Sequence, residues 1–175
     1  NGDVAIGDTS KTNATGVGHA VAVGWHAETG AANAVAVGPS ALASGKNSVS
    51  VGTNNNSRVQ DTVTMGQDND AKTMGGIAIG KNNMVDSTNG GTNFAETADE
   101  NSQIAIGRDN TATHLDTIAI GRETKASGSG ATVIGARAEA SGNNAIAIGQ
   151  SGEGSPKVIA SGVNAIAIGM QSQAT

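Results

Sequence analysis

This chain of 175 residues has no cysteine, and aromatic residues make up 1% of it. Without cysteine, no disulfide framework can hold it. That absence fits a chain that crosses membranes or works outside the cell, although many cytosolic proteins also lack cysteine. Leucine is almost absent, and Trp25 and Phe94 are the only aromatic side chains. A conventional core needs large apolar side chains, so the composition argues against an ordinary globular domain.

Long apolar runs and excess positive charge are missing as well. No apolar run reaches ten residues, whereas a membrane-spanning helix needs about 20, so direct membrane insertion by this segment is not expected. The net charge is −5. An acidic surface that is poor in aromatics makes nucleic acid an unlikely partner class. No secretory leader is visible, and the repeat pattern runs to both ends of the sequence, as expected of a piece of a longer protein.

Small residues and one short motif dominate what remains. There are 26 glycines among many Ala, Ser, Thr and Asn residues, a composition that by itself would be compatible with disorder. A motif of the form Ile/Val-Ala-Ile/Val-Gly, as in Ile146–Gly149, argues for order because it keeps its spacing along the chain. Its eleven copies end at Gly7, Gly24, Gly38, Gly52, Gly66, Gly80, Gly107, Gly121, Gly135, Gly149 and Gly169.

The spacing of the motif predicts a solenoid. From glycine to glycine the position numbers increase by 17, 14, 14, 14, 14, 27, 14, 14, 14 and 20. A fixed short period indicates stacked repeats, each touching its neighbours. The longer intervals are explained by insertions at 8–20, 81–103 and 150–164.

Each 14-residue unit reads as two short strands and two tight turns. In 39–52 the second half alternates small and β-branched residues, and the first half alternates around Ala41 and Ala43 before reaching Gly45. We expect Gly45, Gly142 and Gly162 to supply positive φ at one turn. At the other turn we expect the motif glycines Gly38, Gly52, Gly80, Gly107, Gly121 and Gly149 to do so. Eleven coils stacked at ~4.8 Å predict an all-β rod of roughly 50 Å.

Both faces of the motif strand are expected to be buried, because one face carries Val or Ile and the other Ala, Ser or Thr. A single thin roll buries only its inward faces, so something outside must cover the second face. We favour Val and Ile pointing inward, with the reverse orientation left open. The residues assigned to the core or to contacts between subunits are Val35, Val37, Ile77, Ile79, Ile104, Ile106, Ile118, Ile120, Ile146, Ile148, Ile166 and Ile168.

Other solenoid classes fit poorly. A hexapeptide β-helix needs intervals that are multiples of six. A calcium-binding roll needs Gly-Gly-x-Gly-x-Asp nonapeptides, and an ice-binding solenoid needs a regular exposed threonine array. None of these patterns is present.

The pattern Ala-Ile-Ala-Ile-Gly, then x-x-Ala-x-Ala-Ser-Gly-x-Asn, with its 14-residue period, resembles the YadA-like head repeats of trimeric autotransporter adhesins. The resemblance covers nearly all of 1–175. It implies a left-handed parallel β-roll that forms a homotrimer. It also implies display on the surface of a Gram-negative bacterium, with a C-terminal β-barrel anchor in the outer membrane that lies outside these residues. A trimer would supply the covering surface that the strand pattern requires.

The irregular parts of the rod are the candidate ligand-binding sites. The interval 81–103 contains Met84, Phe94 and Glu96, and Phe94 is either the anchor of a protruding binding loop or a side chain packed on its own roll. Trp25 and His26 follow Gly24 in a turn column of mostly polar residues. We interpret them as an exposed aromatic pair, or alternatively as a cap near the insertion at 8–20.

No catalytic, cofactor or metal site is expected. The serines lack a Gly-x-Ser-x-Gly context, the glycines spell no phosphate loop, and His19, His26 and His114 fall at unrelated positions of the repeat. The sequence therefore predicts a non-enzymatic adhesin head. Its partners would be host matrix proteins (collagen, fibronectin or laminin) or a host cell-surface receptor. The alternative is a spacer that presents another binding domain.

Overall fold

The computed structural model describes residues 2–13, 18–86, 102–155 and 157–175. These residues form a solenoid of parallel strands in two eleven-stranded sheets, and each coil of the chain contributes one strand to each sheet. Among the residues described there is no helix, and hence none that could cross a bilayer. The expected all-β solenoid of about eleven 14-residue coils is confirmed.

The first sheet contains the motif strands. They are β1 (Val4–Ile6), β3 (Val21–Val23), β5 (Val35–Val37), β7 (Val49–Thr53), β9 (Val63–Gln67), β11 (Ile77–Lys81), β13 (Ile104–Arg108), β15 (Ile118–Arg122), β17 (Thr132–Ala136), β19 (Ile146–Gln150) and β21 (Ile166–Ile168).

The second sheet contains shorter strands, each formed by a pair of residues. They are β2 (Lys11–Thr12), β4 (Glu28–Thr29), β6 (Leu42–Ala43), β8 (Asn56–Ser57), β10 (Asp70–Ala71), β12 (Met84–Val85), β14 (Thr111–Ala112), β16 (Lys125–Ala126), β18 (Glu139–Ala140), β20 (Ile159–Ala160) and β22 (Gln173–Ala174).

The register of the sheets follows the sequence repeat, including across the largest insertion. Ile104 pairs with Ile118, one repeat further on, and Ile77 pairs directly with Ile104 although the insertion lies between them in the sequence. Lys81 still belongs to β11 and Met84 to β12. The extra residues of 81–103 therefore lie after Asp86, and the coil is regular on both sides of them.

The interior is lined by small side chains, so the favoured orientation with Val and Ile pointing inward is wrong. The middle residue of the motif is buried in successive coils, for example Ala36, Ala78 and Ala119 at 0% exposure. The flanking Val and Ile residues point out of the roll. The physical reason is space, because Ser57 Oγ of the second sheet lies 2.9 Å from Thr64 Oγ1 of the first sheet. Side chains of that size already fill the gap, and continuous columns of the larger Val and Ile side chains would force the sheets apart.

The motif glycine lies near the end of each strand of the first sheet, where the chain enters the first turn, which connects the first sheet to the second. Gly38, Gly52, Gly80, Gly107, Gly121 and Gly149 have φ between 118° and 150°. Each also stacks on the glycine of the next coil. A Cβ on Gly66 would lie 2.0 Å from the carbonyl oxygen of Gly80. These positions therefore exclude a side chain for two independent reasons, backbone conformation and close approach.

The second turn, which leads back to the first sheet, uses asparagine where positive φ from glycine was predicted. Gly45, Gly142 and Gly162 are not in the left-handed region; Asn47, Asn144 and Asn164 are, with φ of 56–60°. Asparagine tolerates this conformation better than most residues. Glycine is needed here for proximity, because a Cβ on Gly45 would lie 1.9 Å from the carbonyl oxygen of Val59.

A ladder of buried asparagines ties the middle coils together. Asn55, Asn69, Asn83 and Asn110 are each at most 1% exposed and follow one another in consecutive coils. The backbone N–H and the side-chain Nδ2 of Asn83 both donate to Asn69 Oδ1, at 3.1 and 2.9 Å. The same Nδ2 also donates to the carbonyls of Ile79 and Gly107, at 3.0 and 2.9 Å. The ladder continues from Asn83 to Asn110, so it fixes the register on both sides of the insertion.

Replacing Asn83 by alanine is expected to lower the free energy of unfolding by about 2–4 kcal/mol, because several buried polar groups lose their partner at once. Among them are the N–H and Nδ2 of Asn110, which donate to Asn83 Oδ1 at 3.2 and 3.0 Å. Urea denaturation at fixed protein concentration measures the change. Asn143→Ala is the control, since Asn143 is exposed and accepts one bond from Ser129 N. Equal effects of the two substitutions would contradict a structural role for the ladder.

Candidate ligand-binding surface

An apolar stripe runs along the outside of the first sheet. It consists of the two outward positions of each motif strand, such as Ile77 and Ile79 in β11; these are Val or Ile except for Met65 in β9 and Thr132 in β17. The side chains are partly covered by their neighbours in the middle of the rod, whereas Ile6 and Ile168 near its ends are 58% and 64% exposed. A continuous apolar surface of this kind indicates an interaction site. All twelve Val and Ile residues assigned to the core or to subunit contacts lie on this stripe.

Trp25 and His26 form an exposed aromatic pair at the first turn. Trp25 is 55% exposed, and its ring contacts the His26 ring edge to face, with centroids 4.3 Å apart and an interplanar angle of 86°. His26 adopts the left-handed conformation, with φ of 54°, as do the residues at this turn position in neighbouring coils. The turn therefore fixes the backbone of His26 and presents both rings to solvent.

Met84 lies at one end of an open groove, which we call the turn groove. Its volume is about 540 Å³, and it spans the first turn and the adjoining outer face of the second sheet over four consecutive coils. Ser40 and Leu42 belong to its first coil, and Asn82 and Met84 to its last. Its other lining residues are Asn54, Asn55, Asn56, Arg58, Asp68, Asn69, Asp70 and Asn83.

Three of the five candidate binding residues are described by the structure, and these three are not all in mutual contact. Trp25 and His26 touch each other, and Met84 lies four coils away, about 19 Å at the usual strand spacing. Phe94 and Glu96 lie outside the described residues.

Ion pairs between positively and negatively charged side chains cover the first turn and the second sheet further along the rod. Glu123 Oε2 accepts from Arg137 Nε at 2.7 Å, and Arg108 Nη2 lies 3.6 Å from Glu123 Oε1. The hydrogen bond from Arg137, reinforced by the positive charges of Arg137, Arg122 and Arg108, lowers the pKa of Glu123 below its ordinary value. Charges of opposite sign therefore offset one another on this part of the surface.

The lowered pKa of Glu123 predicts a small acid-dependent loss of stability. The folded chain favours the carboxylate more than the unfolded chain does, so the stabilisation is fully present above the ordinary glutamate pKa. It is lost as the pH falls through the lower pKa of the folded protein. We expect Glu123→Gln to flatten this part of the curve of melting temperature against pH between 6 and about 3. The same slope in both proteins would contradict the assignment.

Possible metal ligands are dispersed on the described part of these surfaces. Within the part of the chain that the structure describes, no three histidine, aspartate or glutamate side chains come close enough to hold a metal ion. His19, His26 and His114 lie in different coils.

The turn groove and the asparagine ladder were not predicted from the sequence. A signal for both was present, since asparagine recurs in register at positions 55, 69, 83 and 110. Residues 54, 68 and 82 precede the first three of them and are all Asn or Asp. Aligned column by column, the repeats carry amides in one column where most other coils have Ala, Ser or Thr.

Comparison with protein families adds an independent finding. The family model described as YadA head domain repeat (2 copies) matches residues 14–41, 30–55, 104–124, 126–151 and 160–175. Together these segments cover more than half of the chain. A search of curated proteins gave no match.

Proposed function

This chain belongs to the YadA head repeat family, and on that premise we propose that it is the head of a homotrimeric bacterial surface adhesin that binds a host protein. Membership in the family implies a surface adhesin and a structural, non-enzymatic fold. The proposal goes further in naming the partners: two more copies of the chain, and a host matrix protein (collagen, fibronectin or laminin) or cell-surface receptor. It places the head at the bacterial surface, held there through an outer-membrane anchor.

The apolar stripe is the observation that carries the proposal of self-association. A roll whose interior holds mostly Ala, Ser and Thr gains little from its own core, while the larger side chains lie outside it. Burying an exposed Val or Ile stabilises by about 1.5–3 kcal/mol, and the stripe offers two such residues in most coils. Identical chains about a common axis would cover the stripe of each with the stripes of the others, as a closed symmetric oligomer requires.

Self-association along the stripe leaves the opposite side of the roll open for a host ligand. The second sheet and the first turn carry polar and charged side chains together with the Trp25–His26 pair. Insertions emerge beside the second sheet, after Asp86 and after Ser151. These irregular features on a regular rod are where a ligand would be recognised. Trp25, His26, Met84, Phe94 and Glu96 remain the proposed contacts.

Binding of the purified head to an array of matrix proteins and receptor ectodomains tests the adhesin function. The chain should be assayed alone and fused to a trimeric coiled coil, which removes weak self-association as a cause of failure. Reproducible binding to one class is expected. No binding by either form would favour the alternative, a spacer that presents another domain.

A deletion within the insertion then locates the site. Removing 88–100 restores the 14-residue interval between Gly80 and Gly107, so the register that Ile77 and Ile104 already share is kept. Loss of binding with an unchanged circular dichroism spectrum would place the ligand on this insertion. Unchanged affinity would indicate that the ligand binds on the first turn or the second sheet instead.

A further inference from the structure

The Trp25–His26 pair and the turn groove form one continuous surface. His26, Ser40, Asn54, Asp68 and Asn82 occupy the same left-handed turn position in five consecutive coils. Backbone hydrogen bonds stack the turns, for example Ser40 N to the carbonyl of Trp25 at 2.9 Å and Asn54 N to that of Pro39 at 2.9 Å. The aromatic pair therefore lies one coil beyond the end of the groove marked by Ser40.

The groove is lined by groups that bind hydroxyls. The polar side chains that reach its surface are Ser40, Asn54, Asn56, Arg58, Asp68, Asp70 and Asn82, while Asn55, Asn69 and Asn83 lie buried beneath it in the ladder. Leu42 and Met84 are the large apolar residues among its described lining. Planar amides and carboxylates offer paired donors and acceptors. Both carboxylates of the described lining are already oriented: Asp68 Oδ1 accepts from Asn54 at 2.8 Å, and Asp70 Oδ1 from Arg58 at 3.0 Å. Side chains held in this way lose little freedom when a ligand binds.

This lining disfavours other classes of ligand. A protein partner needs a desolvated apolar centre for its hot spot, and the described lining is polar between Leu42 and Met84. Asp68 and Asp70 repel polyanions such as sulfated glycans or nucleic acid, since Arg58 is the only cation among the lining residues that the structure describes. The volume of about 540 Å³ falls within the usual range for small ligands. An uncharged, hydroxyl-rich chain is the class that remains.

We propose that the surface from Trp25 to Met84 binds an uncharged oligosaccharide. The exposed ring of Trp25, held by His26, stacks against the C–H face of a terminal sugar. The hydroxyls of the following sugars exchange hydrogen bonds with Asn54, Asn56 and Asp68 along the rod axis. The inference rests on the proposed function, because it names the chemical class that the adhesin recognises on a host surface.

Trp25 provides a built-in reporter, because it is the only tryptophan and the chain has no tyrosine. The experiment screens the whole chain against an array of mammalian oligosaccharides in which uncharged glycans are compared with sialylated glycans and heparin fragments as the charged members. The strongest uncharged ligand is then titrated in solution. We expect a saturable change in tryptophan fluorescence, and we expect binding by calorimetry with the same midpoint.

Variants separate the surface from the rest of the rod. Trp25→Ala is expected to weaken binding about tenfold and Trp25→Phe less, both read by calorimetry. Asn56→Ala tests the polar lining and should also weaken binding. Lys125→Ala is the matched control, since Lys125 lies on the same outer face of the second sheet four coils along from Asn56, outside the groove, and it should leave binding within twofold of wild type.

The outcomes distinguish this inference from the proposed function. Binding of uncharged glycans that depends on Trp25 and Asn56 supports it. No uncharged glycan bound, preferential binding of heparin, or binding unaffected by both variants would overturn it. If the head still binds a host protein after that protein has been enzymatically deglycosylated, the adhesin function stands and the oligosaccharide inference is overturned. Failure of both glycan and protein arrays would remove the function as well.

Discussion

Replacing Gly107 by alanine is expected to lower the free energy of unfolding by more than about 4 kcal/mol, a loss that few single substitutions reach. The residue has φ of 125°, where L-residues are strained. In addition, an alanine Cβ would lie 2.0 Å from the carbonyl oxygen of Gly121 in the next coil. Because both obstructions involve backbone, no rotamer change can relieve them.

The stacking of the coils also prevents the neighbouring chain from moving away. The carbonyl oxygen of Gly121 accepts the side-chain amide of Asn110 at 2.8 Å, so displacing it breaks a bond of the buried ladder. Gly121 is itself in contact with the next glycine, since a Cβ on it would lie 1.7 Å from the carbonyl oxygen of Gly135. A shift at one coil would therefore have to pass to the next, or the two coils would separate.

Two other glycine-to-alanine substitutions serve as controls that separate backbone strain from steric overlap with the next coil. Gly169 has φ of 107° and no described atom within 4 Å of a Cβ, so Gly169→Ala carries backbone strain alone, about 1–3 kcal/mol. Gly152 has no positive φ and a Cβ on it meets Ser155 at ordinary or slightly close range, so Gly152→Ala should be nearly neutral. The urea denaturation midpoints of the three alanine variants, measured at equal protein concentration, rank their stabilities. If Gly107→Ala is no worse than Gly169→Ala, close stacking of the glycines does not limit stability.

The architecture could be predicted from the sequence because the solenoid is set by local, repeated signals. The Ile/Val-Ala-Ile/Val pattern gives period-two strands, the glycines give turns, and the 14-residue interval gives the pairing of each coil with the next. The pairing of Ile77 with Ile104 follows from the same rule once the insertion is set aside. Such predictions need no knowledge of how the two sheets face each other.

The orientation of the motif strand could not be predicted in this way. Both of its faces are free of charge, so hydropathy gives no reason to choose Ala36 or Val37 for the interior. The choice depends on the distance between the sheets, which Ser57 and Thr64 reveal only in three dimensions. Leu42 faces the solvent for the same reason, while its small neighbour Ala43 fills the roll.

The candidate binding surface was predictable only in part. Trp25 and His26 stood out because their turn column is mostly polar, and the structure places both rings in solvent. The turn groove depends on side chains from four successive coils, and no single repeat contains it. A column of Asn and Asp at the turn also has a purely conformational explanation, since these residues tolerate positive φ. The structure shows in addition that these Asn and Asp residues line a groove.

Placing a charge on the apolar stripe is expected to abolish self-association and leave the roll folded. We expect Ile106→Glu to weaken assembly at least about a hundredfold, because the substitution removes buried apolar surface and desolvates a carboxylate in every copy of the interface. The roll itself should persist, since Ile106 points outward and its neighbour Ala105 is the buried residue. Ile120 pairs with Ile106 in β15, and Ile120→Glu should act in the same way.

The matched control places the same charge in the same coil on the other sheet. Thr111 lies in β14 with its side chain partly exposed on the outer face, so Thr111→Glu changes the net charge equally without touching the stripe. Sedimentation and light scattering should give three times the 17.0 kDa chain mass for wild type and Thr111→Glu, and one chain for Ile106→Glu. Circular dichroism should show strands in all three. Because the stripe is continuous along the rod, a trimer that tolerates glutamate at both Ile106 and Ile120 must be held by some other surface.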